Sequence, residues 1–337
     1  MVSVVVVNWN GARYLAECLD SLRAQTLREQ MEVIVVDNAS TDGSAETAAR
    51  QGAFVRLIRN EANRGFAAAC NQGIQASRGE YIALLNNDAV ADPAWLAELV
   101  RAIEADPRIG MCAAKVLSYD DRTLIDCVGH AVFADGLTRG RGRGQRDAGQ
   151  FDRVEEVFCA SGCAALLRRA MLDDVGLFDE RFFAYCEDAD LGFRARLRGW
   201  RCIYVPTAVA YHRFSASSAP FSPFKAFQVE RNRFWLACKN LPAPLLLASL
   251  LHTVRRYVWQ GYGVLAGRGA SGRFARERSG GQLLWILATA YLAALADLPR
   301  VARQRAAIQA RRTASTAAIR QALRAFGVSA REIALLE

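Results

Sequence analysis

The stretch VSVVVVNWNG, residues 2–11, is an apolar, mostly β-branched run that breaks on the polar turn Asn8-Trp9-Asn10-Gly11. A run without polar alternation suits a strand buried on both faces. Helical spacing follows, with Leu15, Leu19 and Leu22 on one side of residues 14–25. The chain therefore begins strand, loop, helix.

The unit repeats. VIVVDNASTDGS, residues 33–44, is a second buried strand closed by a turn in which Asp42 or Ser44 can cap a helix. Residues 55–59 give a third strand, 65–77 a helix and 81–85 a fourth strand. This alternation predicts an α/β fold: a Rossmann-like, mostly parallel sheet with helices on both faces. Ligands in such sheets sit beyond the carboxyl ends of the strands, and Asn8, Asn10, Asp37, Asn38, Asn86, Asn87 and Asp88 all fall there.

The 337 residues are 52% apolar, enough for a sizeable core. The formal charge of +9 is uneven: residues 1–220 hold 25 Lys/Arg against 29 Asp/Glu, residues 221–337 hold 18 against 5. Nine cysteines lie scattered among apolar residues without a CxxC pair, as small core hydrophobes in a reduced protein do. The start has no basic n-region before its strand pattern and does not read as a signal peptide.

Past Pro220 long apolar segments interrupted by arginines replace the α/β pattern, so we divide the chain into 1–220 and a helical appendage, 221–337. Leu283 to Ala296 covers roughly 21 Å as a helix against a hydrocarbon core of about 30 Å, too short for a span. An amphipathic appendage on an anionic membrane surface is expected, with Trp259, Tyr262, Trp285 and Tyr291 as interfacial aromatics. A soluble helical pair packed on the core stays open. Residues 139–150, RGRGRGQRDAGQ, read as a mobile loop, either a solvated linker or one that orders over an anionic ligand.

Three groups carry chemistry. Asp88 ends a buried strand, where a carboxylate can hold Mg²⁺ or Mn²⁺ against a diphosphate while Asn86 and Asn87 reach ribose or phosphate. Glu187 and Asp188 follow FFAYC, residues 182–186, and open a helix; a carboxylate there can act as general base for a hydroxyl, or simply complement the helix dipole. His212, one of three histidines, ends a strand-like run from Cys202 and is a structural residue or a further ligand near Asp88. Asp37 and Asn38 suit a pyrimidine imide and a ribose hydroxyl, and Arg64 a phosphate, although turn chemistry also favours Asp-Asn.

Taken together, VSVVVVNWNG, VIVVDNASTDGS, IRNEANRGFAAACNQGI, GEYIALLNNDA, GLFDERFFAYCEDADLGFRARLRGW and AYHRFSAS resemble the inverting family-two glycosyltransferases of the GT-A type, across roughly residues 2–216. The likeness is greatest to the rhamnosyltransferase-type subgroup of bacterial cell-surface polysaccharide enzymes. It implies that Asp88 stands at the last Asp of the family's DxD metal motif, with Asn86 in place of the first. It also implies that Asp188 is the base of the ED motif beside Glu187, and that His212 is a metal ligand.

By the same likeness Asp37, Asn38 and Arg64 would bind the nucleotide, with Asn8 and Asn10 lining its pocket. From the residues themselves, Glu187 is expected to orient the acceptor or to raise the base's pKa by like-charge proximity, and Asp190 and Arg194 to fix the helix. The implied reaction is a single in-line displacement from a nucleoside-diphosphate sugar, dTDP-rhamnose first, to a glycan or polyprenyl-diphosphate-linked acceptor. It would run at the cytoplasmic face of the bacterial inner membrane, with the protein peripherally bound.

NWNGARY after the first strand, in place of GxGxxG, argues against a dinucleotide-dependent oxidoreductase. Arginines beside an apolar run argue for membrane over nucleic acid. A catalytically silent scaffold or glycan-binding protein on the same fold is the alternative to an enzyme.

Overall fold

The computed structural model describes residues 1–213 and 222–336. The strands are β1 (Val2–Asn8), β2 (Met31–Asp37), β3 (Val55–Arg59), β4 (Tyr81–Leu85), β5 (Ala89–Ala91), β6 (Ile109–Ser118), β7 (Ile125–Cys127), β8 (His130–Val132), β9 (Thr138–Gly140), β10 (Glu155–Glu156), β11 (Ala164–Arg168) and β12 (Arg201–His212). The helices before residue 200 are α1 (Leu15–Arg23), α2 (Ser44–Ala49), α3 (Phe66–Ala76), α4 (Trp95–Glu104), α5 (Arg169–Val175) and α6 (Glu187–Leu197).

The chain forms two compact units. The first comprises Met1–His130, Gly140–Ala195 and Trp200–Ser217, the second Ala131–Arg139, Arg196–Gly199 and Ser218–Glu337. The expected boundary near residue 220, and Phe214 to Ser217 of the AYHRFSAS motif, lie outside the described residues.

The first unit is the expected α/β layer. Its sheet runs β10-β12-β6-β11-β4-β1-β2-β3. β1 to β4 are mutually parallel, as the apolar runs of β1, β2 and β4 lead one to expect, and β6 lies parallel to β12. β11 enters antiparallel between β4 and β6, so the sheet is parallel on one side and mixed on the other. Val4, Val6, Val33, Val35 and Leu85 are buried with Leu15, Leu19 and Leu22 of α1 in one core.

Register decides what reaches the site. Asn8 aligns with Asp37, and Asp37 with Arg59, so three strands end level. His212, the last residue of β12, pairs with Ala89 of β5 and thereby lies beside Asp88.

The stretch 139–150 is not the mobile loop its composition suggests. Lys115 of β6 binds Asp147 at 2.8 Å and Asp152 at 2.6 Å, and Arg143 binds Asp126 at 2.9 Å. The partners sit 17 to 37 residues away in sequence, beyond the reach of a local reading.

The second unit is helical: α7 (Pro223–Asn240), α8 (Ala243–Ala266), α9 (Gly269–Glu277), α10 (Gly280–Ala296), α11 (Leu298–Ala310), α12 (Thr316–Ala325) and α13 (Ala330–Leu335). Among the described residues no single helix is long and apolar enough to cross a membrane; α9 and α10 pass that test only together, bent by 117°. Tyr291, expected as an interfacial aromatic, instead points inward, its hydroxyl 2.7 Å from Arg233 and 2.8 Å from Tyr257. Trp285, by contrast, is 70% exposed.

Candidate active site

β4 ends at Leu85, and the backbone of Asn86 is fixed by the Cys163 carbonyl at 2.9 Å. The turn that follows buries Asp88. Its Oδ1 lies 3.3 Å from His212 Nε2, at ion-pair distance, yet accepts no well-aligned hydrogen bond. The other ring nitrogen of His212, Nδ1, is 2.6 Å from Asp126 Oδ2, and Asp126 is gripped in turn by Arg143.

Burial opposes charge on both partners, but the surroundings win. Cys163, Asp126 and Asp88 raise the His212 pKa well above the imidazole range, while His212 and Arg143 hold Asp126 low.

Among the described residues no cluster of three or more His, Cys, Asp or Glu could enclose a metal ion. The donor set nevertheless fits a Mg²⁺ or Mn²⁺ that completes its shell with phosphate oxygens. Such ions take one or two protein ligands beside substrate phosphates, and Asp88 Oδ1 is a buried oxygen that accepts no hydrogen bond. With Nδ1 held by Asp126, Nε2 is the ring nitrogen on the Asp88 side, and a cation bound there would take the place of the Nε2 proton, in the carboxylate–histidine arrangement that orients metal-binding imidazoles.

Asp188 lies in the first turn of α6. Its Oδ2 accepts the Gly162 N–H at 3.1 Å and sits 3.6 Å from His130 Nε2; its Oδ1 accepts the Ala189 N–H at 2.7 Å. Each carboxylate oxygen has two lone pairs, so acceptor capacity remains for a hydroxyl. Cys163, next to Gly162, contacts His212 through its thiol. The segment 161–163 thus ties Asp188 to the Asp88–His212 pair.

Glu187 is 6% exposed with Oε2 unpartnered. Burial, then the neighbouring Asp188 charge, pushes its pKa up to about 8, so it is neutral at pH 7. Asp190 pairs with Arg194 at 2.9 Å, and Arg194 also binds the carbonyls of Val175, Gly176 and Leu177; together they clamp the loop before the site as well as the helix.

The expected nucleotide residues divide. Asn8 is 0% exposed; its Nδ2 binds Asp37 and Ser44, each at 2.8 Å, and its Oδ1 accepts from Asn87 at 2.9 Å. Asn8 and Asn87 therefore brace the strand ends instead of lining a pocket. Asn38 has spent its amide on Asn63 and Gly65 and its oxygen on Asn60 and the Arg64 N–H, so it shapes the 60–65 loop and has no donor left for ribose.

Asp37 is buried with one bond to each oxygen, from Asn8 and from the Ser40 N–H, and retains a lone pair on each. Asn10 is exposed and accepts from the Thr41 N–H; Asn86 is half-buried; Arg64 is half-exposed, 3.8 Å from Glu180. These four remain available to a nucleotide.

The five non-glycine residues with positive φ among those described are Asn10, Ala39, Phe183, Tyr185 and Cys186. All lie on the loops just described, and three of them immediately precede Glu187. Conformations of this kind cost about 1–3 kcal/mol each and persist where surrounding contacts enforce them, commonly at functional sites. Gly65 and α3 hold Phe183 in place: the Ala67 N–H binds the Phe183 carbonyl, and a Cβ on Gly65 would lie 2.6 Å from Phe183.

Sequence reasoning missed Asp126, His130, Gly162 and Cys163. The scarcity of histidine offered a signal for His130; nothing local marked the others. It also missed Asn71 of α3, whose amide holds the Phe178 carbonyl at 2.9 Å and Glu180 at 3.0 Å, fixing the loop that leads to α6.

The model of "Glycosyl transferase family 2" matches residues 3–176. An N-acetylglucosaminyl-diphospho-decaprenol L-rhamnosyltransferase of Mycobacterium tuberculosis is 31% identical over 243 residues, covering 65% of this chain and 78% of its own length. Among solved structures, residues 1–349 of S. aureus TarS in complex with UDP-GlcNAc align with a TM-score of 0.52 at 20% identity, over 74% of this chain and 72% of that one. The mannosyltransferase PcManGT of Pyrobaculum calidifontis, with GDP-Man and Mn²⁺, aligns with a TM-score of 0.51 at 18% identity, over 88% and 86%. The fold is that of GT-A glycosyltransferases, and the alignment over β1 to α5 carries the strand ends on which Asp37 and Asp88 sit. The chain belongs to glycosyl transferase family 2 and, within it, is similar to a rhamnosyltransferase.

Proposed function

We propose that the protein transfers a sugar, rhamnose from dTDP-rhamnose as the first candidate, to a glycan or polyprenyl-diphosphate-linked acceptor, inverting the anomeric configuration. The relationship that carries this reading is the segment 161–163. It holds the carboxylate of Asp188 through Gly162 and touches His212 through Cys163, so a base and a diphosphate-facing pair share one support.

Asp188 takes the proton of the acceptor hydroxyl as that oxygen forms its bond to the anomeric carbon and the bond to the diphosphate oxygen breaks. The nucleoside diphosphate leaves with the electron pair. Asp88 and His212 would hold the divalent cation, which when bound offsets charge on the leaving diphosphate. Arg64, Asn10, Asn86 and Asp37 are the residues we assign to the nucleotide.

Glu187, neutral at pH 7, adds no second negative charge beside Asp188. The rhamnosyltransferase relative, whose name specifies a diphospho-decaprenol substrate, and the arginine excess of residues 221–337 support a lipid-linked acceptor at the cytoplasmic face of the bacterial inner membrane.

Calorimetric titration of dTDP, UDP and GDP, each with and without Mn²⁺, tests the donor side. Metal-dependent binding of dTDP that Asp88→Ala abolishes is the expected result. Binding of UDP or GDP alone reassigns the donor, and metal-independent binding unchanged in Asp88→Ala sinks the assignment of Asp88.

A further inference from the structure

Around α8 the helical unit carries a cluster of ion pairs inside and a row of aliphatic side chains outside. Arg256 of α8 is 0% exposed and binds Asp135 at 2.7 Å and Glu230 of α7 at 2.6 and 3.0 Å. Arg233 and Tyr257 close on the same Glu230, and both reach Tyr291 of α10. Two buried carboxylates thus face two buried guanidinia, which satisfies the charge where water is absent.

The opposite face of α8 has the reverse character. Leu247, Leu250, Leu251, Val254, Val258 and Leu265 are each between 59% and 90% exposed. Their spacing of one, three, four or seven residues lays them along one helical stripe, about 27 Å long at 1.5 Å per residue. Arg255 and Arg256 are the charged residues of α8, and only Arg255 is on the outside. On α10, Leu284, Trp285 and Leu292 are 67% to 70% exposed, in a stretch without a charged residue from Ser279 to Ala296.

Soluble proteins rarely leave contiguous apolar surface of this length uncovered. Polar groups that face a bundle interior while aliphatic side chains face out are the pattern of helices whose outer solvent is lipid. The surroundings of the stripe point to the kind of lipid: residues 268–278, directly after α8, hold four arginines against one glutamate, and the whole segment 221–337 holds 18 basic residues against 5 acidic. Such a surface repels a second copy of itself and attracts anionic headgroups. No helix among the described residues is long and apolar enough to span alone, and a stripe of this kind suits a helix lying in the membrane plane, with side chains sunk about 5–10 Å below the headgroups.

We infer that the outer face of α8, with Trp285 of α10, is the docking surface of this protein on an anionic bilayer, α8 lying flat with its leucine stripe immersed. This deepens the proposed membrane placement and rests on it, but not on the transfer chemistry.

Vesicle flotation of the full chain tests it, using phosphatidylcholine alone and phosphatidylcholine with phosphatidylglycerol. The native chain is expected to float with the anionic vesicles, at least tenfold more weakly with neutral ones or in 1 M salt. Leu250→Glu/Leu251→Glu is expected to lose at least tenfold of the binding while keeping its circular dichroism, its melting temperature and its nucleotide titration. Val154→Glu, a comparably exposed apolar site in the first unit, is expected to float normally.

Flotation of the double variant equal to native overturns the assignment of α8 while leaving membrane placement intact. A native chain that ignores vesicles, or that dimerises by light scattering through a contact the double variant abolishes, overturns the lipid reading. Nucleotide binding in the same samples reports separately on the transferase reading.

Discussion

Asp126 Oδ2 lies 2.6 Å from Nδ1 of His212, and through that contact it decides which nitrogen of the ring faces Asp88. Without the carboxylate the imidazole can rotate or change tautomer, and the pairing of Nε2 with the buried Asp88 oxygen is no longer enforced. Carboxylates behind metal-binding histidines typically contribute 10–100-fold to affinity. Asp126→Ala should therefore weaken Mn²⁺ binding to the nucleotide complex by about 10–100-fold. Titration of Mn²⁺ into protein saturated with nucleotide checks this, and an unchanged affinity would remove His212 from the cation site.

Asp188→Asn keeps the shape of the side chain and can still accept the Gly162 N–H, but it cannot take a proton from a hydroxyl. General-base contributions run to about 10²–10⁴-fold. The variant should lose that factor in kcat, with nucleotide affinity changed less than about twofold. Product formation from labelled donor, read beside a calorimetric titration, separates the two. A variant that turns over at the native rate would assign the base elsewhere.

Glu187 makes a pH prediction whose sign follows from its raised pKa, about 8 against a usual 4.5. The folded state keeps the proton while the unfolded chain releases it near the lower value. The stabilisation is therefore complete below about pH 4.5 and is lost progressively as pH rises through 8, by at most about 1.4 kcal/mol per unit. Glu187→Gln retains the neutral amide throughout. Its melting temperature relative to the native protein should climb between pH 5 and 8, and parallel curves would show that the carboxyl is not buried neutral.

The parts of this architecture that were legible in the sequence are those where an apolar run stops on polar residues. Val2 to Val7 ending at Asn8, Val33 to Val36 ending at Asp37, and Tyr81 to Leu85 ending at Asn86 each announce a strand and the loop that bears chemistry. Asp188 and His212, our candidates for base and cation ligand, likewise follow apolar runs, residues 182–186 and 202–211. Asp126, His130 and Gly162 were not, because each acts through a partner 26 to 86 residues distant and sits in an unremarkable local setting.

Asn8 and Asn38 mark the reverse error. A polar residue at a strand end was read as a ligand contact, whereas both are saturated by neighbouring backbone and side chains. The direction in which Arg256 and Tyr291 point was likewise invisible, since an arginine within an apolar helix reads as exposed until its carboxylate partners are placed.

Arg256 also yields the most direct test of the helical unit. Replacing it with methionine leaves Asp135 and Glu230 buried with Arg233 as their remaining cation, and breaking a buried pair from one side costs about 3–5 kcal/mol. Burial opposes ionisation of Glu230, but Arg256 and then Arg233 hold its pKa down to about 2. A depressed carboxylate stabilises the fold above its usual value of 4.5, and that contribution fades as pH falls from there towards 2.

Two signatures follow from that linkage. At pH 7 Arg256→Met should unfold at distinctly lower denaturant than the native chain. Between pH 5 and 3 the native chain should lose stability more steeply than the variant, whose Glu230 has less attraction to lose. Circular dichroism unfolding curves at pH 7, 5 and 3 read both. Equal acid sensitivity in the two proteins would mean that Glu230 is not held ionised by Arg256, and the ion-pair core would have to be redrawn.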